Sequence, residues 1–115
     1  MAFSELEIRK YTKIMEQYIE RRRPPAHIRD KVDISFRIKG QSIEIFEIRP
    51  AWREPATKIE SAVAKTTYVK TQKCWKVFWM RADLKWHGYG PGRKVRTLED
   101  FLTVVDDDEY GCFWG

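Results

Sequence analysis

The sequence predicts an α+β domain in which a long N-terminal helix packs on an antiparallel meander of about five strands, followed by a short C-terminal helix and an aromatic tail. Three observations support this fold class. An apolar stripe at helical spacing opens the chain, period-two alternation follows it, and a second helical stripe precedes the tail. A run of antiparallel strands with a helix before it and a helix after it in the chain is typical of α+β domains. At 115 residues the chain is expected to form one domain, residues 1–115, that buries roughly two-thirds of its unfolded surface.

The N-terminal helix has a defined start, stripe and end. Ser4 and Glu7 have the spacing of a capping box, in which each side chain satisfies a free backbone N–H. The three cations Arg21–Arg23 suit the negative end of the helix dipole, and Pro24-Pro25 stop the helix. Between these ends the apolar residues recur at helical period: Ile8, Tyr11, Ile14, Met15, Tyr18 and Ile19. This stripe needs a sheet or another helix to cover it.

Residues 32–39 alternate apolar and polar side chains, as a half-buried strand does, and Gly40-Gln41 suits a tight turn into a second strand, Ser42–Arg49. The apolar phase of that second strand slips between Ile45 and Phe46, which indicates either a β-bulge or burial of both faces. Residues 57–63 fit either a helical turn or a lead-in. Three further strands are predicted at Lys65–Lys70, Cys74–Met80 and Leu84–Tyr89.

The strand Cys74–Met80 is apolar on both faces, with Trp75 and Trp79 in one phase and Phe78 in the other. Because the first helix covers only one face, the second face needs another cover. The C-terminal helix that begins at Thr97, the tail Tyr110–Trp114 and a second copy of the chain are the three candidates. The pattern alone does not separate tryptophans of the core from those of the surface.

The charge of the chain is unevenly distributed around its net value of +5. Between residues 58 and 96, Lys and Arg far outnumber the acids Glu60 and Asp83, whereas residues 97–115 hold acids and no Lys or Arg. A basic middle and an acidic end indicate either a surface for a polyanion or an end that folds back onto the middle. The N-terminus is no signal peptide, no run spans a bilayer, and two distant cysteines match no disulfide framework, so we expect a cytoplasmic protein.

Four phrases of the sequence carry a family resemblance: RRPPAHIRDKVD, IEIFEIRP, AKTTYVKTQKCWKVFWMRADLKWHGYG and DEYGCFWG. They resemble a bacterial family catalogued as domain of unknown function 3024, from about Arg21 to Gly115. The resemblance implies a small, bacterial, cytoplasmic protein. It carries over no activity and no catalytic residues.

The candidate binding residues lie where rings and cations alternate. Flat rings stack on bases, and cations neutralise phosphates with release of counterions. The sequence therefore predicts a non-enzymatic module that binds nucleic acid or another polyanion through a basic, aromatic sheet face. The residues expected to form this face are Lys65, Lys70, Lys76, Arg81, Lys85, Trp86 and His87.

Two alternatives remain open. The aromatic tail favours a protein-interaction or homodimerisation module if its rings insert into another subunit. A metal-dependent nuclease would use Asp33 and Glu47 on adjacent strands, although the ordinary interpretation of these carboxylates is pairing with strand cations. His27, Cys74, His87 and Cys112 lack zinc-site spacing, and no glycine-rich phosphate loop is present, so no metal and no small-molecule cofactor is expected.

Overall fold

The computed structural model describes residues 2–90 and 94–114. The elements are α1 (Glu5–Arg22), β1 (Asp33–Lys39), β2 (Ser42–Pro50), β3 (Lys58–Val69), β4 (Cys74–Met80), β5 (Trp86–Gly88), β6 (Lys94–Val95) and α2 (Leu98–Asp107). The sheet runs in the order β1-β2-β3-β4-β5, and β6 pairs with β4. Every pairing is antiparallel. The predicted α+β class is therefore confirmed, and β6 is an addition that the sequence did not indicate.

Helix α1 begins and ends as the sequence predicts. The Ser4 hydroxyl accepts from the Glu7 N–H at 3.2 Å, and Glu7 Oε1 accepts from the Ser4 N–H at 2.9 Å. Met15 and Tyr18 are buried, whereas Ile8 is 39% exposed. The capping box thus fixes the first turn, and only the later part of the apolar stripe lies in the core.

The β1–β2 hairpin closes over two residues, with Lys39 opposite Ser42. Gly40 has φ of +61°, a left-handed conformation that glycine adopts without steric cost. The predicted turn is therefore found where the sequence indicates it, and it sets the register of both strands.

The predicted irregularity is also present, but the additional residue lies on the neighbouring strand. Ile45 pairs with Ala64 and Phe46 with Ala62, so Val63 is the extra residue of a bulge in β3. Strand β3 begins at Lys58, so the helical alternative for residues 57–63 is wrong. Strand β5 is shorter than the predicted Leu84–Tyr89, because Leu84 has φ of +62° in the preceding turn.

Both helices and the tail pack on the same face of the sheet. The core joins residues of α1, of α2 and of the tail to the phase of the sheet that contains Ile43, Ile45, Trp75 and Val77. Phe113 of the tail contacts Tyr89 with ring centroids 4.8 Å apart. The C-terminal helix and the tail, two of the three covers considered for the second face, lie instead beside α1. The second face has no cover among the described residues.

Among the described residues, the acidic end of the chain forms its salt bridges with α1 and not with the basic middle. Asp106 accepts from the buried Tyr18 hydroxyl at 2.8 Å and forms salt bridges with Arg21 and Arg22. Asp108 accepts hydrogen bonds from the backbone N–H groups of Phe113 and Trp114 in the tail. Neither of the helices in the described part of the chain has the length and apolar character that crossing a membrane requires.

Candidate nucleic-acid interface

The face of the sheet that carries no helix is called the open face below. Cross-strand partners project to the same face of an antiparallel pair, so the register assigns its residues. None of them is buried. Three rows contain most of them: a lysine row of Lys39, Ser42, Thr67, Lys76 and Lys94; a central row of Arg37, Glu44, Lys65 and Phe78; and an apolar row of Phe46, Ala62, Met80 and Trp86.

The lysine row crosses five strands. Neighbouring strands are about 4.8 Å apart, so the row extends over roughly 19 Å. Lys76 and Lys94 are direct cross-strand partners. Ser42 and Thr67 separate this pair from Lys39, and a hydrogen bond of 2.7 Å joins their hydroxyls. Within the described residues, none of these lysines forms a salt bridge. The row therefore presents uncompensated positive charge.

Rings lie directly beside this charge. Lys65 Nζ is 6.0 Å from the centroid of the Phe78 ring and 5.8 Å from that of Trp86, within the range of cation–π attraction. Both rings are half-buried, so each keeps part of its surface open to a ligand. Further along the face, the Arg37 guanidinium stacks 4.4 Å from the centroid of the Phe46 ring. The central row thus combines cations with aromatic surface.

A slot opens in the apolar row, where a small residue lies between large ones. Ala62 occupies β3, with Phe46 on one side and Met80 and Trp86 on the other. The slot has a volume of about 230 Å³, and Arg37, Glu44 and Glu60 form its polar rim. Arg37 forms ion pairs with both of these carboxylates. Acids and rings of the open face meet at this slot.

The structure brings three of the seven predicted binding residues together. Lys65, Lys76 and Trp86 lie on the open face. Lys70 lies in the turn between β3 and β4, and Lys85 lies in the connection between β4 and β5; both are exposed. Lys70 is near the start of α1, where it adds a small effect to the N–H and hydroxyl of Ser4 in lowering the pKa of Glu7.

The other two predicted residues, Arg81 and His87, face away from this surface. His87 pairs with Trp79, which belongs to the core phase, and Arg81 stacks 5.5 Å from the Trp79 ring centroid. His87 Nε2 lies 2.9 Å from Asp83 Oδ2, and this contact, with the N–H of Lys85, lowers the pKa of Asp83. The predicted set is therefore divided between the two faces and two turns.

The open-face residues that were not predicted as binding residues include three cations, Arg37, Lys39 and Lys94, and three large apolar residues, Phe46, Phe78 and Met80. Period-two alternation and the two-residue turn place Arg37 and Lys39 on one face, so this part could have been found in the sequence. The position of Lys94 could not, because β6 pairs with a strand far from it along the chain. Long-range pairing carries no local signal.

The carboxylates considered for a nuclease are not brought together. Asp33 pairs with Ile48 and Glu47 with Ile34, so the two acids belong to opposite faces of the pleated strands. Arg23 donates to both Asp33 oxygens, at 2.9 and 2.7 Å, and these bonds hold the pKa of Asp33 below its usual value. Glu47 is paired with Arg49 at 2.9 Å. No group of three or more His, Cys, Asp or Glu that could hold a metal occurs in the part of the chain described.

These features define a class: a small α+β domain whose helices cover one face of an antiparallel meander and leave the other face open, basic and aromatic. The chain belongs to the family described as Domain of unknown function (DUF3024), whose family model matches residues 3–115. The resemblance noted in the sequence is thus confirmed over essentially the whole chain. No curated protein and no solved structure matches the chain.

Proposed function

We propose that the open face binds single-stranded nucleic acid without catalysing a reaction. One observation carries the proposal: four lysines without described salt bridges, Lys39, Lys65, Lys76 and Lys94, share an uncovered face with the partly exposed rings of Phe78 and Trp86. Single strands are bound by surfaces of this kind, in which cations follow the backbone and bases stack on rings.

The arrangement favours a single strand over a duplex. The lysine row and the ring of Trp86 lie two rows apart, and each step along a strand between rows is roughly 7 Å. Phosphates can therefore follow the lysines while bases turn towards the rings. In a duplex the faces of the bases are stacked on one another and do not reach a protein ring.

The distribution of acids supports the same proposal. The acidic end of the chain pairs with Arg21 and Arg22 on the helical side, so it leaves the lysine row uncompensated. Two acids of the open face, Glu44 and Glu60, pair with Arg37 at the far side of the central row. The lysine row therefore contains no acid, whereas Glu44 lies directly opposite Lys65 in the central row.

A salt titration tests the proposal. Binding of fluorescein-labelled U12 and dT12 is measured by anisotropy across a tenfold range of NaCl, beside a duplex of equal length. Each phosphate neutralised contributes about 0.7 to the slope of log K against log salt for single strands. We expect the double variant Lys76→Ala/Lys94→Ala to weaken binding and to reduce this slope by roughly 1.4, that is, two contacts at about 0.7 each.

The matched control is the double variant Lys13→Ala/Lys31→Ala, which removes the same charge from exposed positions on α1 and the loop after it. This control is expected to retain the wild-type slope. Equal losses in the two variants would show attraction by net charge alone, and the absence of oligonucleotide binding at low salt would refute the proposal.

A homodimerisation module is the second candidate, because among the described strands β1 pairs only with β2 and leaves its other edge free. A second copy of β1 would extend the sheet. Phe113 and Trp114 pack within their own chain, so they do not supply the interface. Molar mass measured by light scattering over a wide concentration range distinguishes this candidate. Both cysteines are free, as in the cytoplasmic setting that we propose.

A further inference from the structure

We infer that the slot in the apolar row accepts one base of the bound strand and selects guanine. The inference rests on the proposed function, since it concerns the same open face. It adds a base preference that the lysine row cannot supply, because contacts to phosphate carry no sequence information.

The shape of the slot suits one ring system. Its floor is Ala62, whose side chain is a single methyl group, and its walls are Phe46 on β2 and Met80 and Trp86 on the opposite side. Its volume of about 230 Å³ is below the range of about 300–1,000 Å³ typical of pockets for drug-sized ligands. The guanidinium of Arg37, stacked on Phe46, adds a planar surface on which a base can lie.

The rim of the slot supplies the polar groups that distinguish bases. Glu44 and Glu60 carry four carboxylate oxygens, which accept hydrogen bonds, and Arg37 is a donor with five N–H groups. Arg37 pairs with one oxygen of each carboxylate, so acceptor capacity remains on both. The rim therefore offers more acceptors than donors.

Guanine matches this balance better than the other bases. Its Watson–Crick edge presents one acceptor, O6, beside two donors, N1–H and N2–H₂. Two adjacent donors suit a carboxylate, and O6 suits an arginine. Cytosine presents one donor group and two acceptors, uracil presents one donor between two acceptors, and adenine presents one donor group beside an acceptor. Each of these three bases therefore offers a carboxylate of the rim fewer hydrogen-bond donors than guanine does.

Four heptamers test the inference: UUUGUUU, UUUAUUU, UUUCUUU and UUUUUUU, together with the corresponding DNA strands. Single guanines in a uridine background avoid assembly of guanine-rich strands. Because one good bidentate contact distinguishes bases by about 1–3 kcal/mol, we expect the guanine heptamer to bind roughly 5- to 150-fold more tightly than the others at equal salt. Comparison of RNA with DNA shows whether the 2′-hydroxyl contributes.

The variants Glu44→Gln and Glu60→Gln retain side-chain size and remove the charge of the rim. Each is expected to reduce the preference for guanine and to leave or slightly raise the affinity for the uridine heptamer, because a negative charge near phosphates is lost. The control Glu16→Gln makes the same charge change on α1, on the covered side, and is expected to keep the full preference.

The outcomes separate the two proposals. Tight binding of all four heptamers with equal affinity would overturn the base preference and leave the proposed function standing. A preference that survives in both rim variants would equally overturn the assignment of the rim. If none of the heptamers binds, the proposed function fails and the guanine site fails with it.

Discussion

At the residue scale, the link between Arg23 and Asp33 illustrates how one side chain joins two elements. Arg23 caps the C-terminal end of α1, and its guanidinium donates two hydrogen bonds to Asp33 at the start of β1. Asp33 also accepts from the N–H of Ile34 at 2.8 Å. The Asp33 carboxylate, with three charge-assisted hydrogen bonds, stabilises the junction between α1 and β1. This acid, which the nuclease hypothesis placed at a metal site, therefore has a structural role.

The variant Asp33→Asn tests this role. Hydrogen bonds to a charged group contribute about 1.5–3 kcal/mol, so we expect the free energy of unfolding at neutral pH to fall by about that amount. The bonds from Arg23 hold the folded-state pKa of Asp33 below its unfolded value of about 3.9. Its stabilisation is therefore present above about pH 4 and is lost as pH falls through the folded-state pKa.

Urea denaturation at neutral and acidic pH measures the difference between Asp33→Asn and the wild type. The difference is expected to shrink towards acid. Glu47→Gln serves as the control, because its partner Arg49 is 51% exposed and such surface pairs contribute about 0–1 kcal/mol. A difference that stays constant down to low pH would contradict the assigned role of the Asp33 charge.

At the element scale, the phase of β4 separates tryptophans that the sequence could not separate. Trp75 is buried against the rings of Phe3, Tyr11 and Tyr68, whereas Trp86, which pairs with Met80, is half-buried on the open face. The alternation along the strand shows that two phases exist. Which phase receives the helices depends on where α1 and α2 pack, and no local pattern contains that choice.

Alanine variants of these two tryptophans are expected to differ in their main effect. One mainly lowers stability, and the other mainly weakens oligonucleotide binding. Trp75→Ala removes a core ring and is expected to lower the free energy of unfolding by about 3–5 kcal/mol. Trp86→Ala is expected to cost roughly 1 kcal/mol, as partly exposed substitutions do, while it weakens oligonucleotide binding by about 1–3 kcal/mol through lost stacking. Urea denaturation and fluorescence anisotropy measure the two effects.

Trp75→Phe completes this comparison, since it retains most of the buried area if the alanine variant does not fold. It is expected to be destabilised and to bind oligonucleotides normally once folded. Unchanged binding by a folded Trp86→Ala variant would show that stacking on this ring does not contribute to the proposed interface.

At the scale of the whole molecule, the two faces of the sheet differ in what covers them. The core side joins α1, α2 and the tail, and the indole N–H of Trp114 donates to the Val105 carbonyl at 3.1 Å while Arg22 stacks 4.4 Å from its ring centroid. Stability is thereby concentrated on one side. The other side carries no helix in the described part of the chain, and its rings and lysines are only partly covered.

The variant Trp114→Ala tests this separation. Because the tail shares one core with both helices, we expect a single cooperative unfolding transition with a free energy of unfolding lower by about 1–3 kcal/mol. Affinity for single strands is expected to stay unchanged, since the tail lies on the covered face. Tyr110→Ala, at a tail position 63% exposed, is the control and is expected to be nearly neutral. A loss of oligonucleotide binding in Trp114→Ala would contradict the proposal that the open face binds single strands without the tail.

The sequence by itself determined the features that depend on neighbours along the chain. The capping box at Ser4, the end of α1 before Pro24, the turn at Gly40 and the alternation of β1 and β4 all follow from local backbone geometry and side-chain spacing. The candidate site was predictable to the same extent, because Lys65, Lys76 and Trp86 lie on regular strands whose phase can be counted.

The tertiary structure alone decided which residues share a face and which face stays open. The bulge at Val63, the pairing of β6 with β4 and the docking of α2 and the tail beside α1 each join residues that are distant in the chain. Their geometry follows from burial of apolar area in one common core, a property of the whole molecule that no short window of sequence contains. Arg81 and His87 lie on the opposite side of the sheet from Met80 and Trp86 because successive strand residues alternate in face, and only the packing of the helices decided that theirs is the covered side.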